Sequence, residues 1–344
     1  MSITARELAK ELGISAAAVS MALNDKSGVS SETRKKVKLL AQEKGFDFSK
    51  IKPAHISDGA VYFVIYKKSG AVVDDTPFFF ELSEGISEEC SRAGIRLHIT
   101  YIYESDLENN ISDKKGASSK SLDRFFGTDC RGILLLGTEM MTNDLKPFLS
   151  LPIPIVVVDS YFETFRCDAV LINNVQGAFH ATHHLIRKCK SQPGYLKSSY
   201  QINNFVERSD GFYKAVRAAG MSAPKCIVHE LTPSLDGSYA DMMQILESGV
   251  PLARCYFADN DLIASGALRA FREKGYCIPK DIAIIGFDNL PMSRVLEPPL
   301  STIDVPKHYM GAQAVKRLLE RMETPDMPAI KIEIATELVD RYSC

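Results

Sequence analysis

Two groupings in this sequence have residue types and spacing that suit chemistry: the carboxylates Asp259 and Asp261, and the histidines His180, His183 and His184. His180 and His184 stand four apart, which puts both imidazoles on one face of a helix. A metalloprotease helix of that spacing requires Glu directly after the first His, and here Ala181 follows. No Walker loop, no GxGxxG after a strand and no GxSxG elbow occurs, so neither nucleotide chemistry nor Ser-based acyl transfer is indicated. Eight cysteines are scattered through the chain with no two within four residues of each other. That excludes a CxxC metal or redox motif, and they read as reduced thiols, mostly core filler. The expectation is a protein with no catalytic group, no metal and no cofactor.

The elements that position these residues begin with a basic head. Residues 1–52 carry a net charge of +4 and the remainder −6, giving −2 for all 344 residues. A basic head on an acidic body suits an anionic partner for the head. The length suggests two or three folding units. No run of about 18 apolar residues is present and the first residues lack a basic-then-apolar leader, so a cytoplasmic protein with no membrane partner is expected.

Within the head, Thr4 and Glu7 have the spacing of a capping box, and a helix through Leu8, Ala9 and Leu12 should stop at Gly13 in the left-handed region. Ser15 is a second N-cap, for a helix over 16–23 with Val19 plugging a small core. Ser30 opens a third helix that carries Val37, Leu40 and Ala41 and ends near Gly45. Three helices with a tight Gly turn between the first two make a helix-turn-helix.

After Gly59 the pattern alternates. Strands are expected at 61–66, 95–101, 132–137, 153–158, 226–229, 255–258 and 282–286, with a weak one around Tyr195. Helices are expected at 78–93, near Leu122, between the strands at 132–137 and 153–158, and at 175–187, 205–219, 239–246, 262–274 and 307–323, and further strands near 331–335. Continuous apolar strands separated by helices predict doubly wound parallel sheets. Two such sheets imply two lobes with a ligand cleft at the strand ends.

The run Gly13-Ile14-Ser15-Ala16-Ala17-Ala18-Val19-Ser20-Met21-Ala22-Leu23-Asn24, then Gly28-Val29-Ser30-Ser31-Glu32-Thr33-Arg34, resembles the head of the LacI/GalR family of repressors. Tyr256 to Asp261, Ile278 to Ile282, Gly286 to Asn289 and Leu300 to Val305 resemble that family's periplasmic-binding-protein-like sensor. The resemblance implies that Ala16, Ala17, Ser20 and Met21 face the major groove, while Thr4, Ser15, Asn24, Ser30 and Thr33 meet phosphates. Ala16, Ala17 and Met21 cannot form bidentate bonds to bases, so thymine methyls or DNA shape must carry more of the specificity. Thr76-Pro77-Phe78-Phe79 resembles a segment whose aromatics line the effector cleft, Arg208 matches an effector-binding arginine, and Asp288 its partner on the opposite wall. A guanidinium and a carboxylate can grip vicinal hydroxyls, and an aromatic ring can stack on a sugar. Asp259 and Asp261 become a helix cap and a hinge contact.

The resulting expectation is an α/β protein with a three-helix head at 1–48, a linker at 49–59 and a two-lobed sensor at 60–344. Lobe 1 takes about 60–158 and 291–323, and lobe 2 about 159–289 and 326–344. Crossings fall near 158–160, 288–291 and 324–328. Pro53 opposes an uninterrupted hinge helix in the linker, which should order only on DNA. The expected function is a homodimeric transcription repressor on a pseudo-palindromic double-stranded operator, controlled by a carbohydrate-like effector. The competing reading is a cytosolic sugar sensor with degenerate DNA reading.

Overall fold

The computed structural model describes residues 4–23, 29–46, 59–73, 76–108 and 122–344. Asn24 and linker residues 49–58 lie outside that set. The head contains α1 (Ala5–Leu12), α2 (Ala16–Leu23) and α3 (Ser31–Glu43). The Thr4 hydroxyl accepts the Glu7 N–H at 3.4 Å, and Glu7 accepts the Thr4 N–H at 2.7 Å, so the capping box closes. Gly13 ends α1 at φ 64°, a conformation open to glycine at little steric cost. Ser15 Oγ accepts the Ala18 N–H at 3.0 Å, and Ser30 Oγ that of Thr33 at 3.1 Å. Leu8, Ala9, Val19, Ala22, Leu23, Val37 and Ala41 form the core. Those apolar positions recur at helical spacing, which is why three short helices can bury one shared face.

The body holds two large sheets. The first contains β1 (Ala60–Lys67), β2 (Arg96–Tyr103), β3 (Cys130–Leu136), β4 (Ile155–Val158), β5 (Asp168–Ile172) and β11 (Lys331–Ile334), in the order β11-β5-β4-β3-β1-β2. The second contains β6 (Gly194–Ser198), β7 (Val228–Leu231), β8 (Cys255–Ala258) and β9 (Ala283–Ile285), in the order β7-β6-β8-β9, all parallel. A short antiparallel pair, β10 (Thr302–Asp304) with β12 (Glu337–Val339), completes the set. The helices between strands are α4 (Pro77–Arg92), α5 (Glu104–Glu108), α6 (Thr142–Leu149), α7 (Asn174–Cys189), α8 (Asn203–Ala218), α9 (Leu235–Glu247), α10 (Asp261–Glu273) and α11 (Lys307–Glu323). No helix of the described residues is long and apolar enough to cross a membrane.

The alternation is as the sequence predicts, with four differences in the main elements; the short α5, β10 and β12 also had no counterpart among the expected elements. The strand around Tyr195 is fully formed and lies between β7 and β8, although Lys197 and Ser198 dilute its apolar run. The region of Leu122 is a single turn of 3-10 helix at Asp123–Phe125 rather than an α-helix. β5 was not anticipated: its first residue is a buried Asp, and its pairing with β4 keeps residues 168–172 in the first sheet. The crossings fall elsewhere as a result. The chain leaves the first sheet between Ile172 and Asn174, not at 158–160. It stays with the second sheet through Ser301 and Asp304, which bridge Ile285 and Asp288, and returns before α11 packs on β3, β4 and β5. β11 pairs with β5 in the first sheet, so the final crossing follows Ile334 rather than 324–328. Residues 159–172 and 331–334, expected in lobe 2, belong to lobe 1.

Asp168 shows how a charged residue enters a core. It is 2% exposed and accepts from Arg317 Nη2 and Arg321 Nε, each at 2.7 Å, and from the Ile330 N–H at 2.9 Å. Burial alone would raise its pKa, but these donors outweigh burial and hold it below the usual carboxylate value. The bonds pin α11 to β5.

Candidate effector cleft and DNA-reading head

The cleft lies at the carboxyl ends of the strands, where open α/β sheets bind ligands. Arg208 projects from α8 and is 3% exposed. Its Nε donates to Asn174 Oδ1 at 2.9 Å, Nη1 to the Asp259 carbonyl at 2.5 Å, and Nη2 to Asp288 Oδ1 at 3.0 Å. Its guanidinium carbon sits 3.8 Å from the centroid of the Phe287 ring, a cation–π contact on its other face. An arginine so tied is pre-oriented, and little rotamer entropy remains to be lost on binding.

Asp288 follows β9 with φ 102°, and Asn289 has φ 49°; both are non-glycine residues in the left-handed half of the map. Such backbone persists only where its surroundings hold it. The Asp288 N–H donates to the Ile303 carbonyl at 2.9 Å, the Leu290 N–H to Asp261 Oδ2 at 2.7 Å, and Asn289 Nδ2 to Asp304 Oδ1 at 2.6 Å. Thr302 Oγ1 donates to the other oxygen of Asp261 at 2.6 Å. Asp261 therefore braces the bend, which lies within the second sheet's lobe and not at a crossing between lobes. Asp259 caps nothing: it accepts from the Tyr195 hydroxyl and the Ser198 N–H, and the cap of α10 is Asn260. Burial pushes Asp261 up to about 8 and Asp259 up to about 6. Asp288 is also raised by burial, with Arg208 opposing.

Phe78 and Phe79 on α4 are 5% and 8% exposed and pack edge to face, centroids 5.0 Å apart. They line one cavity with Arg208 and Asp288, so the four residues singled out from the sequence converge. Only about 30 Å³ there is open to the centre of a water molecule, room for about two waters. A roomier hollow of about 730 Å³ lies where β4, β5 and β11 begin, around Ile155, Asp168 and Lys331. It lies at the amino ends of those strands, opposite to the carboxyl ends where open α/β sheets bind ligands, which leaves the cleft as the better candidate.

Two buried acids lie outside the effector-binding set named from the sequence. Asp159 follows β4 with φ 63° and lines the cleft. It accepts the Thr138 hydroxyl at 2.6 Å, while its Oδ1 is buried with no hydrogen-bond partner among the described residues. Burial, opposed by Thr138 and Arg208, pushes it up to about 7. Glu139, 2% exposed, receives the N–H groups of Lys68, Ser69 and Gly70 on one oxygen and of Val72 and Val73 on the other, at 2.8–3.2 Å. That clamp fixes the turn carrying Val72, a cleft residue. A strand end followed by Thr-Glu is the only local sign of it, because the five donors are backbone.

On α2, Ala16, Ala17 and Ser20 are exposed and Met21 half-buried, while Val19, Ala22 and Leu23 face the core. Thr4, Ser15 and Ser30 sit at helix N-termini, where N–H groups and the helix dipole favour anions; Thr33 bonds Ser30 at 2.8 Å.

The body is thus a two-lobed ligand sensor joined in sequence to a helix-turn-helix. The family model described as periplasmic binding protein-like domain matches residues 182–344. The HTH-type transcriptional repressor PurR of Pasteurella multocida (strain Pm70) is 30% identical over 344 residues, covering 99% of this chain and 98% of the relative. Among solved structures, the transcriptional regulator CelR–cellobiose complex matches with TM-score 0.71 and 23% identity over 99% of this chain and 100% of that one. The LacI family transcriptional regulator from Enterococcus faecalis V583 with bound ribose matches with TM-score 0.65 and 25% identity over 82% of this chain and 98% of that one. The chain belongs to the LacI/GalR family of transcription regulators. It is a sequence-specific DNA-binding repressor controlled by a small effector, and the curated relatives it matches are transcription regulators rather than enzymes.

Proposed function

We propose that this repressor acts in the cytoplasm as a homodimer on a pseudo-palindromic operator, and that its effector is a polyhydroxylated ligand of the carbohydrate class held by Arg208 and Asp288 with Phe78 and Phe79 against its face. The buried Arg208–Asp288 pair in the cleft carries this reading. It offers fixed donors beside fixed acceptors, which is what vicinal hydroxyls require. The cellobiose and ribose of two structural neighbours support the class. In the head, Ala16, Ala17, Ser20 and Met21 read base edges, and Thr4, Ser15, Asn24, Ser30 and Thr33 hold phosphates. One small head makes few contacts, and a symmetric pair supplies the rest.

The test begins with a panel of mono- and disaccharides, cellobiose and ribose included, read by melting temperature, since a ligand of the folded state raises it. Arg208→Ala and Asp288→Ala should each weaken the ligand found at least about tenfold, roughly 1.4 kcal/mol. A panel with no binder removes the carbohydrate class; folded variants that bind like the parent remove the site. Footprinting should give two symmetric half-sites, and protection of one isolated half-site by a monomer would overturn the dimer.

A further inference from the structure

Three thiols meet where α7 ends, β8 begins and residue 344 lies. Cys189 is the last residue of α7 and Cys255 the first of β8. Cys344 follows Ser343, whose carbonyl accepts the Ile284 N–H of β9 at 2.8 Å. Two residues past Cys189, Ser191 Oγ lies 3.6 Å from the Cys255 sulfur, and the preceding Lys188 reaches Asp340 at 3.1 Å, so the end of α7 lies against both β8 and the segment that leads to Cys344. Cys255 and Cys344 are buried and Cys189 is half-buried, so Cys189 is the member that a small solute reaches. The cluster belongs to neither the cleft nor the head.

Its electrostatics make one sulfur unlike the rest. Hydrogen bonds from Cys255 and Cys344, with the charges of Arg254 and Lys188, outweigh burial and hold Cys189 well below the ordinary thiol value. Asp340, 3.1 Å from Lys188 and 3.5 Å from His184, is the acid facing the group. By contrast, burial raises Cys90, Cys130, Cys167 and Cys226. A partly accessible thiol of lowered pKa beside thiols that can capture its oxidised form is the arrangement of a redox-sensing cysteine.

We propose that Cys189 is a peroxide-reactive cysteine and that Cys344 resolves its oxidised form into a Cys189–Cys344 disulfide. The Cys189 thiolate attacks one oxygen of hydrogen peroxide: the S–O bond forms, the O–O bond breaks, and the departing hydroxide takes a proton to leave as water. Sulfur is oxidised by two electrons to the sulfenic acid and the peroxide is reduced. The Cys344 thiol then attacks that sulfur; the S–S bond forms, the S–O bond breaks, and its proton leaves with the hydroxide as water. Cys255 is the poorer partner. It is fully buried in a strand paired on its far side with Ala283 of β9, and its neighbour Tyr256 is paired with Gly194 of β6. Disulfide geometry demands small backbone adjustments; Cys344 lies outside any strand, whereas Cys255 is held within the sheet.

The test uses the full chain, reduced, desalted and exposed to stoichiometric hydrogen peroxide at pH 6, then alkylated and mapped by mass spectrometry. The expected product is a Cys189–Cys344 cross-linked peptide, reversed by dithiothreitol, while the more exposed Cys277 still alkylates. In Cys344→Ser, dimedone should label Cys189. Because a variant can fail to fold, the parent protein's own cross-link is the primary reading. Cys189 left alkylatable while Cys277 is oxidised overturns the proposal. A bridge from Cys189 to Cys255 in either protein overturns the role of Cys344.

Discussion

Between about pH 4 and pH 7, folded Asp159 holds a proton that the unfolded chain would release. Its pKa in the cleft is about 7, against roughly 3.9 for an exposed aspartate. Folding therefore takes up a proton between these values, so the group's contribution is complete below about pH 4 and is lost as pH rises through 7. Asp159→Asn has no such dependence. Denaturant midpoints should move in the variant's favour between pH 4 and pH 8, by up to about 4 kcal/mol relative to the parent; a difference flat with pH would show that the carboxyl does not titrate there. In the head, Met21→Arg should change base preference more than affinity for random DNA, because a bidentate guanine contact adds about 1–3 kcal/mol at one base pair. Selection from a randomised operator library reads this, and an unchanged consensus would mean that Met21 does not face bases. Arg208 and Asp288 were legible because long motifs surround them. Asp159 ends an apolar strand in a polar pair with Ser160, which locally marks a strand end and nothing more.

Helix packing adds a constraint that periodicity does not reveal. Gly85 of α4 and Gly311 of α11 face each other's backbones: a Cβ on Gly85 would lie 2.0 Å from the His308 carbonyl oxygen, and one on Gly311 2.3 Å from that of Leu82. Neither neighbour is a side chain that can swing away. Gly85→Ala should lower stability by roughly 1–3 kcal/mol, and an unaltered melting temperature would refute this close approach. The helices and most strands were readable from apolar spacing and caps, as Thr4, Gly13, Ser15 and Ser30 show. β5 was not, because a strand opening on Asp168 is tolerated only through Arg317 and Arg321, about 150 residues away in the chain, and local pattern contains no trace of such partners. The crossings were misplaced for the same reason: Asp159-Ser160 has the look of an exit, yet the chain turns back to add β5.

Over the whole body, neither lobe is a continuous stretch of chain. β11 closes one edge of the first sheet, while β12 and Ser343 tie the end of the chain to β10 and β9. Removal of residues 326–344 should therefore abolish cooperative unfolding of the sensor instead of trimming a tail; a sharp thermal transition in the truncated protein would contradict it. The fold class was legible at this scale because alternation is a property of the whole pattern, whereas which strand neighbours which depends on contacts that sequence order conceals. The same discontinuity has a consequence for biosynthesis. At roughly 5–20 residues per second, a ribosome needs on the order of 8–32 s after delivering β5 before β11 emerges to cover its edge. Through that interval the nascent first lobe presents an open parallel edge, the kind of surface that pairs with other chains, so the yield of this repressor should depend on what shields the half-made sheet as it leaves the ribosome.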